Sequence, residues 1–283
     1  MNTLPIKPTS ALTVDVEDYF HVAAFEKTIL PADWAKMPVR VEANTYKLLE
    51  LFARYDAKAT FFLLGWVAKR YPELVRDLVK AGHEVASHGF NHIKATQQSR
   101  AEFAKDITDT KNLLEDITGT AVYGYRAPSF SIDKTNEWAF TELKAAGYLY
   151  SSSTYPVKHD LYGTPDWPQQ PYLRPEGIWE CPMPVLNKVG RQWPIAGGGY
   201  FRLLPYWLSK KCIEQYLQQS ASPYMFYFHP WEIDPEQPRI DAAPYKSRFR
   251  HYTNLNRMQG KLSRLLQDFQ WRSVQDVYRP YFM

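Results

Sequence analysis

Two short polar clusters hold the reactive side chains of this sequence. Asp15-Val16-Glu17-Asp18 follows the apolar run Ala11-Leu12-Thr13-Val14. Ser87-His88-Gly89-Phe90-Asn91-His92 follows Gly82-His83-Glu84-Val85-Ala86. Each cluster stands where a buried strand would end. Together they offer two imidazoles and two or three carboxylates. That is enough to hold a divalent metal and leave one carboxylate over as a base, the equipment of a metal-dependent hydrolase.

The four-residue spacing of His88 and His92 would put both rings on one face of a helical turn, able to grip one ion. A capping histidine followed by a surface histidine would have the same spacing. Two His and one carboxylate leave coordination positions for water and substrate, the catalytic pattern rather than the closed structural one. The acidic cluster must then divide its labour. Asp15, at the strand end, suits the base. Glu17 and Asp18 compete for the metal. Asp18 could instead cap the segment starting at Tyr19, and Glu17 could be a solvated loop charge.

Two more residues stand at strand ends. Arg126, in Tyr125-Arg126-Ala127-Pro128-Ser129-Phe130, could orient the base through a bidentate pair, or form a structural ion pair. His229 closes the strongest apolar run, Tyr224-Met225-Phe226-Tyr227-Phe228, and is fixed by Pro230. It suits a general acid for a leaving amine, against the alternative of a core histidine bonded to backbone. His83 precedes its strand and reads as structural. His21, His159 and His251 read as loop or surface histidines.

The elements that would position these groups alternate. Leu12–Val14, Ala59–Leu64, Glu84–Ser87 and Val122–Tyr125 read as buried strands. Val39–Tyr55, Pro72–Ala81, Ser99–Thr118 and Thr135–Ala146 read as helices, with Gly82 and Gly147 as stops. Repeated β-α units imply a parallel sheet, open or closed, with function at the strands' C-terminal ends. Residues 155–205 are rich in Pro, Trp and Gly and read as loops and short strands. Gly197-Gly198-Gly199 lacks the Lys-Ser/Thr of a phosphate loop. A helix from Leu204 to Gln219, the strand before His229, and a basic amphipathic helix from Leu255 to Phe269 complete the chain.

Composition narrows the classes. The chain has 283 residues, 45% hydrophobic and 16% aromatic, which supports a large core and excludes disorder. A net charge of +4 without a dense Lys/Arg run does not imply nucleic acid or an acidic membrane surface. Only Cys181 and Cys212 occur, so a disulfide framework or a cysteine zinc site is not expected. Met1 to Ser10 lacks a signal core, and no stretch nears the ~20 apolar residues of a membrane helix. The expectation is a cytoplasmic protein, with peripheral membrane association compatible; a chain trimmed of its leader would read the same. No repeat or linker stands out, so a single domain is expected over 1–283. Twenty Tyr and nine Trp crowd the second half. Such rings suit sugar faces, although ordinary packing accounts equally well for any one of them.

In order along the chain, Thr13-Val14-Asp15-Val16-Glu17-Asp18, Ala59-Thr60-Phe61-Phe62, Ser87-His88-Gly89-Phe90-Asn91-His92, Arg126-Ala127-Pro128-Ser129-Phe130 and Phe228-His229-Pro230 resemble the motifs of the polysaccharide deacetylase family, the NodB homology group of carbohydrate esterases. The resemblance covers about residues 10–235, with a C-terminal extension over about 236–283. Phe228-His229-Pro230-Trp231-Glu232-Ile233-Asp234 and Tyr252-Thr253-Asn254-Leu255 are similar to the subgroup encoded beside exosortase and exopolysaccharide loci. The resemblance implies an α/β fold, a distorted (β/α) barrel usually of seven strands. It implies a divalent metal, zinc first, with cobalt or nickel as alternatives. The implied reaction removes N-acetyl groups from the amino sugars of an oligo- or polysaccharide and releases acetate. Asp15 would be the base, His88 and His92 ligands with Glu17 or Asp18, His229 the acid, and Arg126 the group that positions Asp15. A backbone N–H near Phe130 would help hold the oxyanion, and Pro128, Phe130, Tyr200 and Trp231 would contact substrate.

Two departures stand out. Relatives often have adjacent aspartates in the first motif; here the acids are spaced, and position favours Glu17 while side-chain type favours Asp18. Relatives often carry an Asp after the fifth strand, where this chain has Tyr150-Ser151-Ser152-Ser153. Hydrolysis of a non-sugar amide, or a sugar-binding relative weak in turnover, are the competing readings.

Overall fold

The computed structural model describes residues 9–159, 163–188 and 190–283. Most of the Met1–Ser10 segment read for a leader lies outside the described residues.

Eleven strands form among the described residues: β1 (Thr9–Val16), β2 (Thr60–Leu63), β3 (Glu84–Ser87), β4 (Gly124–Tyr125), β5 (Tyr150–Ser151), β6 (Tyr172–Leu173), β7 (Trp179–Glu180), β8 (Val185–Lys188), β9 (Arg191–Pro194), β10 (Met225–Phe228) and β11 (Gln270–Arg272). The main sheet runs β10-β1-β2-β3-β4-β5-β7-β6, with β11 beside the start of β1. Every neighbour from β10 to β7 is parallel. That run of seven parallel strands fits the distorted barrel that the resemblance implies, as a curled sheet whose end strands do not pair with each other among the described residues. β6 adds an antiparallel edge, and β8 and β9 form a separate hairpin.

The strands read as apolar runs because parallel sheets are covered on both faces. Residues 10–16 of β1 and all of β2 are buried. Helices α1 (Val41–Arg54), α2 (Gly65–Arg70), α3 (Pro72–Lys80), α4 (Arg100–Thr118) and α5 (Trp138–Ala145) make the crossovers. α4 starts at a capping box, in which the Ser99 side chain accepts from Glu102 N and Glu102 accepts from Ser99 N. It stops at Gly119 with φ 66°, a left-handed position that suits glycine. α5 begins three residues later than the periodicity predicts. Asp133 and Asn136 trade side-chain bonds with the backbone of 133–135 and form a turn there instead.

The second half adds α6 (Gly198–Leu203), α7 (Tyr206–Gln219), α8 (Tyr245–Tyr252), α9 (Leu255–Asp268) and α10 (Val274–Phe282). The sequence reading missed α6, a short helix within the glycine tract. Pro205 separates it from α7, which moves the start of that helix from Leu204 to Tyr206. Residues after 235 are woven into the sheet. β11 pairs with Thr9–Ala11, and Val274 N donates to Thr60 Oγ1 at 2.7 Å. No helix among the described residues is long and apolar enough to cross a membrane.

Candidate active site

Four strands of this sheet end at one edge. Asp15 is next to last in β1, and Glu17 follows that strand. His88 follows β3, Arg126 follows β4 and His229 follows β10. The register sets Val14 opposite Phe228, Leu63 opposite Ser87, and Ser87 opposite Tyr125. Parallel strands in this register bring their C-terminal ends together, where α/β folds gather function. There they line a cleft of about 190 Å³.

Glu17, His88 and His92 each place a ligand atom within 4.8 Å of the others. His88 Nδ1 lies 2.8 Å from the Arg126 carbonyl oxygen. That carbonyl takes the Nδ1 proton, an assignment from the bonding pattern, and leaves Nε2 as a lone-pair donor. Burial pushes His88 down to about 4, which favours the neutral ring. His92 Nε2 stands 3.0 Å from Glu17 Oε2. The contact lacks hydrogen-bond geometry, and this buried oxygen has no hydrogen-bond partner among the described residues. A buried carboxylate oxygen without a donor is costly. A cation between it and the two rings would satisfy it, and two nitrogens with one oxygen suit zinc, cobalt or nickel. Burial alone would raise the Glu17 pKa, but the nearby rings of His92 and His229 outweigh it and hold the carboxyl below the usual range.

His88 and His92 do not share a helical turn, contrary to the spacing argument. The segment is a loop with Gly89 at φ 72° and His92 at φ 53°. Asp106 of α4 holds it by accepting from Phe90 N at 2.8 Å, and a Cβ on Gly89 would sit 3.1 Å from the same carboxylate. The two rings converge, with centroids 5.4 Å apart, because the loop doubles back.

Asp18 does not join the cluster. Oδ1 accepts from Tyr19 N at 2.9 Å, and Oδ2 accepts from Arg40 N at 2.6 Å and Val41 N at 2.8 Å. The capping alternative applies, and it extends to the start of α1. Burial pushes this carboxyl up to about 6. His21 is also buried rather than exposed. Its Nδ1 accepts from Asp18 N at 2.8 Å, and burial pushes the ring down to about 3.

Arg126 is fully buried. Nη1 donates to Asp15 Oδ1 at 2.6 Å and to Thr13 Oγ1 at 2.9 Å. Nε and Nη2 donate to Ser152 O and Ser152 Oγ, both at 3.1 Å. The pair with Asp15 is therefore single, not bidentate, because Ser152 takes the other edge of the guanidinium. The serine run also supports the next loop. Ser151 Oγ bonds Ser153 Oγ at 2.7 Å, and Ser153 Oγ accepts from Ala127 N at 2.9 Å.

His229 gains a carboxylate from its own turn. Its Nδ1 lies 2.9 Å from Glu232 Oε1, which also accepts from His229 N at 3.1 Å. Glu232 Oε2 accepts from Arg202 Nε at 2.7 Å. Arg202 donates onward to the carbonyls of Arg250, His251 and Thr253 at 3.1, 2.9 and 2.6 Å. Burial would lower the His229 pKa, but Glu17, 3.3 Å from Nε2, and Glu232 outweigh it and bring the ring up to about 9. Trp231 stacks on His229 at 5.2 Å and on His251 at 4.1 Å. His251, read as a loop histidine, is thus a buried member of the stack.

The glycine tract acquires a reason here. A Cβ on Gly198 would lie 2.2 Å from the Glu232 carboxylate, and one on Gly197 would lie 2.6 Å from the Tyr227 ring. Only a bare backbone lets α6 bring Arg202 to Glu232.

The four expected substrate contacts divide. Phe130 and Trp231 line the cleft, with Ser129, Tyr227 and Arg250. Pro128 is buried beneath the Ala127–Phe130 turn and is not on the lining. Tyr200 faces a different groove. The Phe130 N–H donates to Ala127 O at 3.0 Å, so the turn itself uses it. Ser129 and Phe130 have φ of 56° and 49°, a left-handed pair that turns the chain back over the cleft. Sequence reasoning missed Glu232 and Arg202. Glu232 had a signal, an acid three residues after His229 in a turn started by Pro230. Arg202 had none.

Residues 28–150 match the family model for polysaccharide deacetylase, and residues 152–279 match a domain of unknown function, DUF3473. A peptidoglycan-N-acetylglucosamine deacetylase of Bacillus cereus is 36% identical over 104 residues, covering 37% of this chain and 47% of that protein. A peptidoglycan deacetylase of Helicobacter pylori is 33% identical over 113 residues, covering 40% of this chain and 37% of that protein. The chain thus spans less than half the length of these curated relatives. A crystal structure from Mycobacterium smegmatis that bears the polysaccharide deacetylase name superposes with a TM-score of 0.60 at 17% identity, over 99% of this chain and 92% of that one, and shares the fold. The residues that match polysaccharide deacetylase and the residues that match DUF3473 contribute strands to one and the same sheet.

Proposed function

We propose that this protein is a metal-dependent hydrolase that removes N-acetyl groups from the amino sugars of an oligo- or polysaccharide and releases acetate, in the making of an exopolysaccharide. The observation that carries the reading is the donor-less Glu17 Oε2 facing His92, beside His88, in a cleft shared with the Asp15–Arg126 pair and His229. The peptidoglycan deacetylases among the relatives support the same substrate chemistry.

Glu17, His88 and His92 would hold a divalent ion, which when bound would supply Lewis acidity toward an acetyl carbonyl and a water. Asp15 takes the proton of that water. Arg126 fixes its carboxylate through Oδ1. The water oxygen bonds to the acetyl carbon, the carbon–nitrogen bond breaks, and the amine takes a proton from His229. Glu232 fixes the His229 tautomer through Nδ1 and favours the protonated ring before transfer. Phe130, Tyr227 and Trp231 wall the cleft and exclude water from the reacting groups. Glu232 also answers the reading of a weakly active sugar binder, since His229 has a buried carboxylate partner despite the serine at 151.

The test is acetate release from N-acetylglucosamine oligomers by protein loaded with zinc, cobalt or nickel. Acetate and free amine should appear in equal amounts and stop after chelation. An undiminished rate in metal-stripped protein, or no acetate from N-acetylated glycans by metal-loaded protein, would overturn the reading.

A further inference from the structure

A second concavity, larger than the catalytic cleft, lies on the other side of α6. It measures about 450 Å³ and runs between the β8–β9 hairpin and helices α6 and α7. Leu186, Trp193, Ile195, Phe201, Leu204 and Leu208 supply its apolar walls. Phe201 meets Phe226 of β10 edge-on, with ring centroids 5.1 Å apart, so the floor is anchored in the core. Exposed apolar side chains stand in the lining or next in sequence to it. Trp193 is 54% exposed, Leu203 46% and Trp207 65%. No other tryptophan among the described residues is this exposed.

The charges beside it have one sign. Lys188 and Arg191 face each other across the tip of the hairpin, and Lys188 lines the groove. Lys211 is exposed one turn after Trp207 on α7. No acidic side chain lines the groove. Lys210 is already matched by Asp268 at 3.0 Å, and the exposed Glu214 lies further along α7.

We propose that this face docks on the surface of an anionic lipid bilayer. Exposed tryptophans beside lysine and arginine are the chemistry of the membrane–water interface, where indole sits at headgroup depth and the cations meet lipid phosphates. The groove adds room for part of an acyl chain. A second copy docking through the same face would bring six like charges, Lys188, Arg191 and Lys211 of each copy, into one interface with no acidic side chain lining the groove, which disfavours a symmetric dimer. α6 carries Arg202 toward Glu232 on one side and Phe201 toward the groove on the other. Docking would therefore hold the catalytic cleft within one helix of the membrane surface.

The test is co-sedimentation of the full chain with phosphatidylcholine vesicles, with and without phosphatidylglycerol. Binding should require phosphatidylglycerol and fall with added salt. The double variant Trp193→Ser/Trp207→Ser should bind on the order of tenfold more weakly. Reversal of Lys188, Arg191 and Lys211 to Glu should cost about fivefold per charge or more. Both variants should keep the wild-type circular dichroism spectrum and metal content, which shows that the fold survives and keeps this readout separate from the deacetylase reading. No binding to phosphatidylglycerol vesicles, or binding indifferent to both variants, would overturn the proposal. So would a concentration-dependent dimer abolished by the tryptophan variant in protein that ignores vesicles.

Discussion

The two halves of the cleft are built differently. The half from β1 to β4 places Asp15, Glu17, His88, His92 and Arg126 at or just after strand ends, and holds them through contacts with one another and with the neighbouring strand ends. The half from α6 to α8 places one reactive side chain, His229, and holds it through a chain of buried groups. That chain runs from the carbonyls of α8 through Arg202 to Glu232. The first half holds reactive groups where the sheet delivers them. The second adjusts the proton affinity of one group through residues distant in sequence. The boundary between the family matches falls close to this division, with His88, His92 and Arg126 in one and His229, Glu232 and Arg202 in the other.

The largest expected effects break the first half. His88→Ala or His92→Ala should abolish both bound metal and acetate release, read by elemental analysis and an acetate assay. Asp15→Asn should keep the metal and lose activity by on the order of a hundredfold to ten-thousandfold. Loss of metal in that variant would make Asp15 a ligand and blur the division.

A smaller effect is expected in the second half. Glu232→Gln keeps the size of the side chain but removes the charge beside His229. It should lower kcat by about tenfold to a hundredfold with metal content and KM near wild type. The loss should shrink on aryl acetates, whose leaving groups need no proton. An equal loss on both substrates would reduce Glu232 to a structural role.

How much of this was legible from sequence follows the same line. Buried parallel strands write themselves as apolar runs, so the ends bearing Asp15, His88, Arg126 and His229 were readable. The choice between Glu17 and Asp18 was not. It depends on the chain turning after Val16 so that Asp18 meets the N–H groups of Arg40 and Val41, a tertiary contact that local spacing does not encode. The His88–His92 loop has left-handed residues at 89 and 92, which a helical spacing argument passes over. Arg202 reaches Glu232 only because Gly198 lacks a side chain, and the tract was read only for what it was not. His251 looked like a loop residue because its burial comes from stacking on Trp231.

Asp18→Ala sharpens the boundary of the metal cluster. It should cost about 1–2 kcal/mol of stability by denaturant unfolding, the value of a lost cap, and leave metal stoichiometry unchanged. Loss of metal there would return Asp18 to the ligand set. The smallest effect is expected at Tyr200. Tyr200→Phe should leave kcat and KM for a soluble oligosaccharide unchanged, since the ring faces the second groove.

The most direct test is anomalous diffraction from crystals grown with zinc. The expected peak lies about 2.0–2.2 Å from a Glu17 carboxylate oxygen, His88 Nε2 and His92 Nε2. Asp18 should still accept from Arg40 and Val41, and Glu232 should still hold His229. A peak on Asp18, or no peak between Glu17 and the two histidines, would contradict the account.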